Sequence, residues 1–197
     1  MATRRSPRFK ECRRLGVNVC GHPKAMERAN SPAFAKKKKV SEYGLQLIEK
    51  QKVKAYYGIL EKQMRRAFEA AARADGNTGD ELLILLERRL DNLVYRAGFA
   101  KSIRQARQMV SHGHFTVDGK KINIPSYSVK VGQTISMSEK GQKSGALKAI
   151  FLEDKALKLD YIERNVDGLS AKLTRLPLRA EIPVEIKEHL VVEYYSK

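Results

Sequence analysis

The chain has 197 residues, 42% of them hydrophobic, which can fill one ordinary core or two small ones and excludes a disordered tail. Its 39 Lys and Arg against 22 Asp and Glu leave a net charge of +17, an excess that repels itself unless an acidic partner compensates it; nucleic acid and anionic membrane are the usual partners. The longest unbroken apolar run, Leu82–Leu86, is five residues, far short of a bilayer span, and no apolar stretch follows the basic start at Arg4 and Arg5, so a membrane partner is set aside. With two cysteines, Cys12 and Cys20, there is no disulfide framework, and a reducing cytoplasm is the expected location.

The surplus charge sits in two blocks. Residues 1–54 carry 15 basic and 4 acidic side chains, net +11, and residues 88–150 carry 12 and 3, net +9. Between and after them, residues 55–87 are net −2 and residues 151–197 net −1.

From Met1 to Val40 the sequence is rich in Arg, Lys, Pro, Gly, Ser and Asn and ends in Lys36, Lys37, Lys38 and Lys39, which predicts an extended basic arm over residues 1–40. Ser41 caps a predicted helix running to about Val53, with Leu45, Ile48 and the stem of Lys52 on its inner face and Lys50 and Lys54 pointing elsewhere. A second helix is predicted over Glu61–Arg73 on a stripe of Met64, Phe68 and Ala71 or Ala72, ended by Asp75, Gly76 and Asn77. Thr78 with Glu81 reads as a capping box opening the buried helix of a first domain over residues 41–87.

Leu90, Leu93, Val94 and Ala97 fall at i, i+3, i+4 and i+7, one apolar helical face that Gly98 can end in a left-handed conformation. Ser102 with Gln105 is a second capping box, starting a helix with Ile103, Ala106 and Val110 inside and Gly113 at its end. Its other face carries Arg104, Arg107, Gln108 and Ser111. Beyond Gly113 the period changes to two: Phe115 and Val117, a hairpin turn at Asp118 and Gly119, then Ile122 and Ile124 on the return. Ile135 and Met137 give a further strand, and short strands are expected at Lys155–Tyr161 and Ala171–Leu176. Residues 141–145 read as a linker, and Pro183–Tyr195 as a short helix. The expected class is α+β, helices packed on a small antiparallel sheet.

Arg presents a planar fork to phosphate that Lys lacks, so Arg104 and Arg107 on one helix face, above a helix N-terminus at Ser102, suit a polynucleotide backbone. Lys120 and Lys121 at the hairpin tip can grip a neighbouring backbone segment. Spacing alone fits a solvated face equally well. The shortage of acid decides, because only Asp91, Asp118 and Glu139 lie within residues 88–150 to pair with twelve cations. In the arm, Arg4, Arg5, Arg8, Arg13 and Arg14 precede the lysine run and make counterion release on RNA the favoured reading. Tyr43, Tyr56 and Tyr57 have the chemistry to stack on bases, but tyrosines at helical spacing more often belong to a core.

No catalytic constellation is visible. Cys12, Cys20 and His22 lack the four ligands and short pairs of a structural zinc, residues 141–145 lack phosphate-loop spacing, and His112 and His114 flank a helix end where RNA donors or capping fit better than acid–base chemistry. No enzyme, metal or cofactor is expected.

Four segments, Arg89–Phe99 (RLDNLVYRAGF), Gln105–Gly113 (QARQMVSHG), Val117–Lys120 (VDGK) and Ile124–Tyr127 (IPSY), resemble the small-subunit ribosomal protein S-four family of bacterial type. Ser41–Leu47 (SEYGLQL), Glu49–Lys52 (EKQK) and the ending Glu188–Lys197 (EHLVVEYYSK) match the same family, so the likeness spans nearly the whole chain. The resemblance implies a helical first domain over residues 41–87, completed by a C-terminal helix at 183–197, and an inserted S-four RNA-binding domain over residues 88–182. It implies a primary binder of small-subunit ribosomal RNA at a five-prime domain junction, which nucleates assembly, contributes to translational accuracy and neighbours the S-five and S-three proteins and the messenger RNA where it enters the subunit. Matched position by position, Arg88, Arg89, Arg96, Ser102, Arg104, Gln105, Arg107, Ser111 and His112 form the implied RNA surface, with Lys50, Lys52 and Lys54 in the first domain. Arg65, Arg66 and Lys101 complete the candidate set. Members with zinc carry four cysteines; two are present here, which disfavours the metal and leaves arm contacts over residues 15–40 open. An RNA-modifying enzyme would need a further catalytic domain for which 197 residues leave no room, whereas a repressor of its own messenger would share every feature above.

Overall fold

A computed structural model describes residues 6–27, 40–153 and 157–196. The chain divides into two compact units, one formed by residues up to Leu82 together with those from Pro183, the other by Leu83–Ile182. The seam falls inside a helix, five residues before the 87/88 boundary read from sequence.

In the first unit, helix α1 (Arg8–Leu15) is followed by a one-turn 3-10 helix at Pro23–Ala25, which the His22 side chain caps. Over residues 8–25, helices stand where an extended arm was expected. Few apolar residues are present, but Phe9, Cys12 and Leu15 share one side of α1, and with Val19 and Ala25 they pack on Ala55 of the next helix. Arg4, Arg5 and Lys36 to Lys39 lie outside the described residues.

Ser41 caps α2 (Glu42–Tyr56) by accepting the Gly44 N–H at 3.3 Å. Its inner face is the predicted one only in part: Ile48 packs on the core of this unit, but Leu45 is 47% exposed, and Gln46, Glu49, Lys50 and Val53, again at i, i+3, i+4 and i+7, are buried. Polar groups can occupy that face because the chain's last helix, α9 (Glu188–Tyr195), brings partners to it. Gln46 donates to Glu193 at 3.0 Å, Glu49 accepts the Lys187 N–H at 2.9 Å, and the Lys50 ammonium lies 4.0 Å from the Tyr194 ring centroid. Helix α3 (Glu61–Ala71) buries Met64 and Ala71. Tyr57 is in the core, and Tyr56 accepts the Glu185 N–H, so of the three tyrosines only Tyr43 is largely exposed.

Helix α4 (Thr78–Glu87) runs from the first unit into the second. Its cap is Asn77, whose Oδ1 accepts the N–H groups of Gly79 at 2.8 Å and Asp80 at 3.3 Å; Thr78 is already the first helical residue, so the capping box read there is displaced by one position.

The second unit packs α5 (Leu90–Arg96) against α6 (Ile103–Ser111) and both on one core with a five-stranded antiparallel sheet, consistent with the expected α+β class. The strands are β1 (Phe115–Val117), β2 (Lys120–Lys121), β3 (Thr134–Met137), β4 (Ile162–Asn165) and β5 (Ser170–Leu173), in the order β2-β1-β3-β5-β4. Asp118 (φ 48°) and Gly119 (φ 78°) make the left-handed pair of a two-residue hairpin. The return strand stops at Lys121. Ile122 still packs on the core, but Ile124 is 51% exposed ahead of Pro125, which cannot donate to a ladder. The strand expected at Lys155–Tyr161 forms after Tyr161 instead, with residues 154–156 outside the described set. The linker reading also fails: Ser138 caps the short α7 (Glu139–Gln142), and α8 (Gly145–Leu152) places Phe151 flat on Phe99, ring centroids 4.1 Å apart.

Candidate nucleic-acid interface

The interface begins with the acids, because they decide which cations remain outside. Asp91, at the start of α5, is fully buried and receives two arginines. Arg89 reaches it through Nε at 3.0 Å and Nη2 at 2.9 Å, and Arg107 comes down from α6 through Nε at 2.9 Å and Nη2 at 2.6 Å. Glu87, 1% exposed, accepts from Arg96 at 2.9 Å, Asn92 at 2.6 Å and the Tyr161 hydroxyl at 3.2 Å. Arg88 spends its Nε–H on the Val129 carbonyl at 3.0 Å. A carboxylate taken out of water must be matched by charge and hydrogen bonds, and three arginines counted as RNA-facing do that work. Arg89 and Arg96 are each 8% exposed and turned inward, and Arg107 is part-buried against Asp91. These are corrections to the surface read from sequence.

The outer face that remains on α6 is Arg104, Gln108 and Ser111, all exposed, with His112 exposed just past the helix end. Ser102 accepts the Gln105 N–H at 3.3 Å, while Gln105 returns its carbonyl to the Lys101 N–H at 2.8 Å, one residue earlier than a reciprocal box requires. Lys101 is exposed and reaches Glu153 at 3.4 Å. Lys120 and Lys121 stand exposed at the hairpin. Asp118, which could have paired with them, accepts the Thr134 N–H and the Gln133 amide instead, bonds that hold its carboxyl below the usual range.

In the first unit Lys50, Lys52 and Lys54 serve internal contacts. Lys52 pairs with Glu49 at 2.6 Å, and Lys50 and Lys54 both reach Glu61, at 3.2 and 2.7 Å. Burial alone would raise the Glu61 carboxyl, but hydrogen bonds from Lys54, Tyr195 and Lys50 overcome it and hold the group at about 2. Arg65 and Arg66 are exposed on α3, and Arg14 is exposed on α1 with Arg13 half-buried. Lys50, Glu61, Lys62, Arg65, Tyr194 and Tyr195 line an open pocket of about 560 Å³. Among the described residues no group of three or more His, Cys, Asp or Glu converges as a metal site; the Cys12 and Cys20 sulfurs lie 3.5 Å apart. No helix of the described residues is long and apolar enough to cross a membrane.

Sequence reasoning missed Lys130, Lys140, Lys143 and Lys148. Together with Lys120 and Lys121 they make no ion pair among the described residues. The signal was present in the charge count but was credited to arginines instead.

The chain is similar to known proteins along its whole length. Residues 3–87 match the model of the ribosomal protein S4/S9 N-terminal domain, and residues 88–135 match that of the S4 domain. The small ribosomal subunit protein uS4 of Finegoldia magna is 51% identical over 199 residues, covering 100% of both chains. The uS4 of a Geobacillus species is 47% identical and the uS4B of Clostridium acetobutylicum 48%, each again over the full length of both. With a helical first unit, an S4 domain in the second and half-identical relatives along its whole length, the chain belongs to the uS4 family of small ribosomal subunit proteins.

Proposed function

We propose that the protein is a non-catalytic constituent of the small ribosomal subunit, held to ribosomal RNA by phosphate contacts from both units. The observation that carries this is the uneven fate of charge in Leu83–Ile182: Asp91 and Glu87 are consumed by Arg89, Arg107 and Arg96, while six exposed lysines have no carboxylate partner among the described residues. Such lysines gain most from a polyanion. The RNA-facing set becomes Arg104, Ser111, His112, Lys120, Lys121, Lys130, Lys140, Lys143 and Lys148, with Arg65, Arg66 and Arg14 in the first unit; Arg89, Arg96 and Arg107 position this surface from within. Binding at a five-prime domain junction, nucleation of assembly, a contribution to accuracy, and contacts to S-five, S-three and messenger RNA rest on the family resemblance alone and belong to this proposal.

The test is titration of a five-prime domain fragment of small-subunit ribosomal RNA with the full chain at graded salt. For 6–10 phosphate contacts, affinity falls by about 10³–10⁵ between 50 and 200 mM salt; a flat response would end the proposal. Arg104→Ala should weaken RNA binding with a smaller loss of thermal stability than Arg107→Ala, which strips one partner from a buried carboxylate.

A further inference from the structure

The turn between α6 and β1 collects four basic side chains, two of its own and one each from β2 and α7. His112 and His114 flank Gly113, whose φ of 73° reverses the chain, and their rings lie 6.3 Å apart. Lys121 crosses from β2 so closely that a Cβ on Gly113 would meet its Cε at 2.5 Å. Lys140 arrives from the first turn of α7.

The acceptors of this corner are already used. Lys140 donates to the His112 carbonyl at 3.3 Å, the Ser138 hydroxyl to the Gly113 carbonyl at 3.1 Å, and the Ser138 N–H to the His114 carbonyl at 2.9 Å. What remains are two imidazoles and two ammonium groups. Glu139, beside Lys140, pairs with none of them, and no carboxylate among the described residues does. His114 Nδ1 is buried without a partner. A corner that gathers two ammonium groups and two imidazoles, with no carboxylate paired to them among the described residues, is complementary to a phosphodiester.

We propose that His112, His114, Lys121 and Lys140 form one phosphate subsite for RNA, and that filling it is coupled to proton uptake at His114. The proposal rests on the RNA-binding reading above. In the free protein His114 is held below its ordinary pKa, first by burial and then by the charges of Lys140, His112 and Lys121. A phosphate placed among these cations offsets their repulsion and lifts the His114 imidazole. The bound state therefore holds more protons than the free state, and affinity rises as pH falls through the histidine range.

The experiment uses the full chain with isotope-labelled histidine and the same five-prime domain RNA fragment. Binding is measured at pH 7.5 and 5.5, and imidazole titration midpoints are followed by NMR with and without RNA. The His114 midpoint should rise on binding, and the wild type should tighten on acidification by about ten-fold more than a His112→Gln/His114→Gln variant, the linkage for an average uptake of about half a proton across the two pH units. Lys121→Ala and Lys140→Ala should each lower the logarithmic salt slope by about one. His112→Gln alone, at an exposed position, keeps the test open if the double variant unfolds. Unmoved midpoints, or equal pH profiles for wild type and variants, overturn the subsite while leaving RNA binding intact. Midpoints raised equally by millimolar inorganic phosphate overturn the assignment to RNA. A wild type that binds the fragment at neither pH overturns the parent proposal instead.

Discussion

Glu87 shows how one side chain can fix the identity of its neighbours. It is a buried carboxylate with three donors, from Arg96, Asn92 and Tyr161, and burial together with the Glu87 charge pushes the Tyr161 hydroxyl far above its usual range. Glu87→Gln removes the negative charge that faces the buried Arg96 guanidinium. Loss of one partner from such a pair costs about 3–5 kcal/mol, and chemical denaturation should show it. Replacing both Glu87 and Arg96 by leucine should recover much of that loss, because the desolvation of two charges disappears with them. The sequence announced these residues only as charges near a helix, and charge alone cannot say which side of the surface it lies on. That is why Arg89, Arg96 and Arg107 were counted outward.

Elements whose signals are local were legible, and those completed by distant chain were not. The α5 stripe of Leu90, Leu93, Val94 and Ala97, the Ser102 cap and the Asp118–Gly119 hairpin all stand where their spacing put them, since each is decided within a few residues. Helix α2 was found with only part of its inner face, because its buried Gln46, Glu49 and Lys50 depend on α9 some 140 positions later. Helix α8 was missed because Gly145 and Ser144 suggest a linker until Phe151 has Phe99 to stack on. The cap of α4 gives a direct check: Asn77→Ala removes the acceptor for two N–H groups and should cost about 1 kcal/mol, whereas Thr78→Ala should be nearly neutral. Thermal melts of the two variants would separate them.

At the scale of the molecule, the first unit is closed by the chain's end, and its closure carries an acid dependence. Glu61 of α3 binds Lys50 and Lys54 of α2 and the Tyr195 hydroxyl of α9 at 2.7 Å. Its folded pKa, about 2, lies below the ordinary carboxylate value, so its contribution is complete above about pH 4.5 and fades as pH drops toward 2. Tyr194 and Tyr195 signals should therefore loosen in acid before those of Phe99 and Phe115, and Glu61→Gln should flatten that dependence. Acid loosening that is identical in the variant would assign it to other groups.

The passage of α4 from one unit to the other also sets an order of events during synthesis. Every residue of Leu83–Ile182 leaves the ribosome before Glu188–Tyr195 does, so the inserted unit can finish first. The part that starts the chain must wait, its α2 face lacking Glu193 and Tyr194, until the final helix is released. A nascent molecule would thus offer its lysine-bearing half to RNA while its leading half is still incomplete.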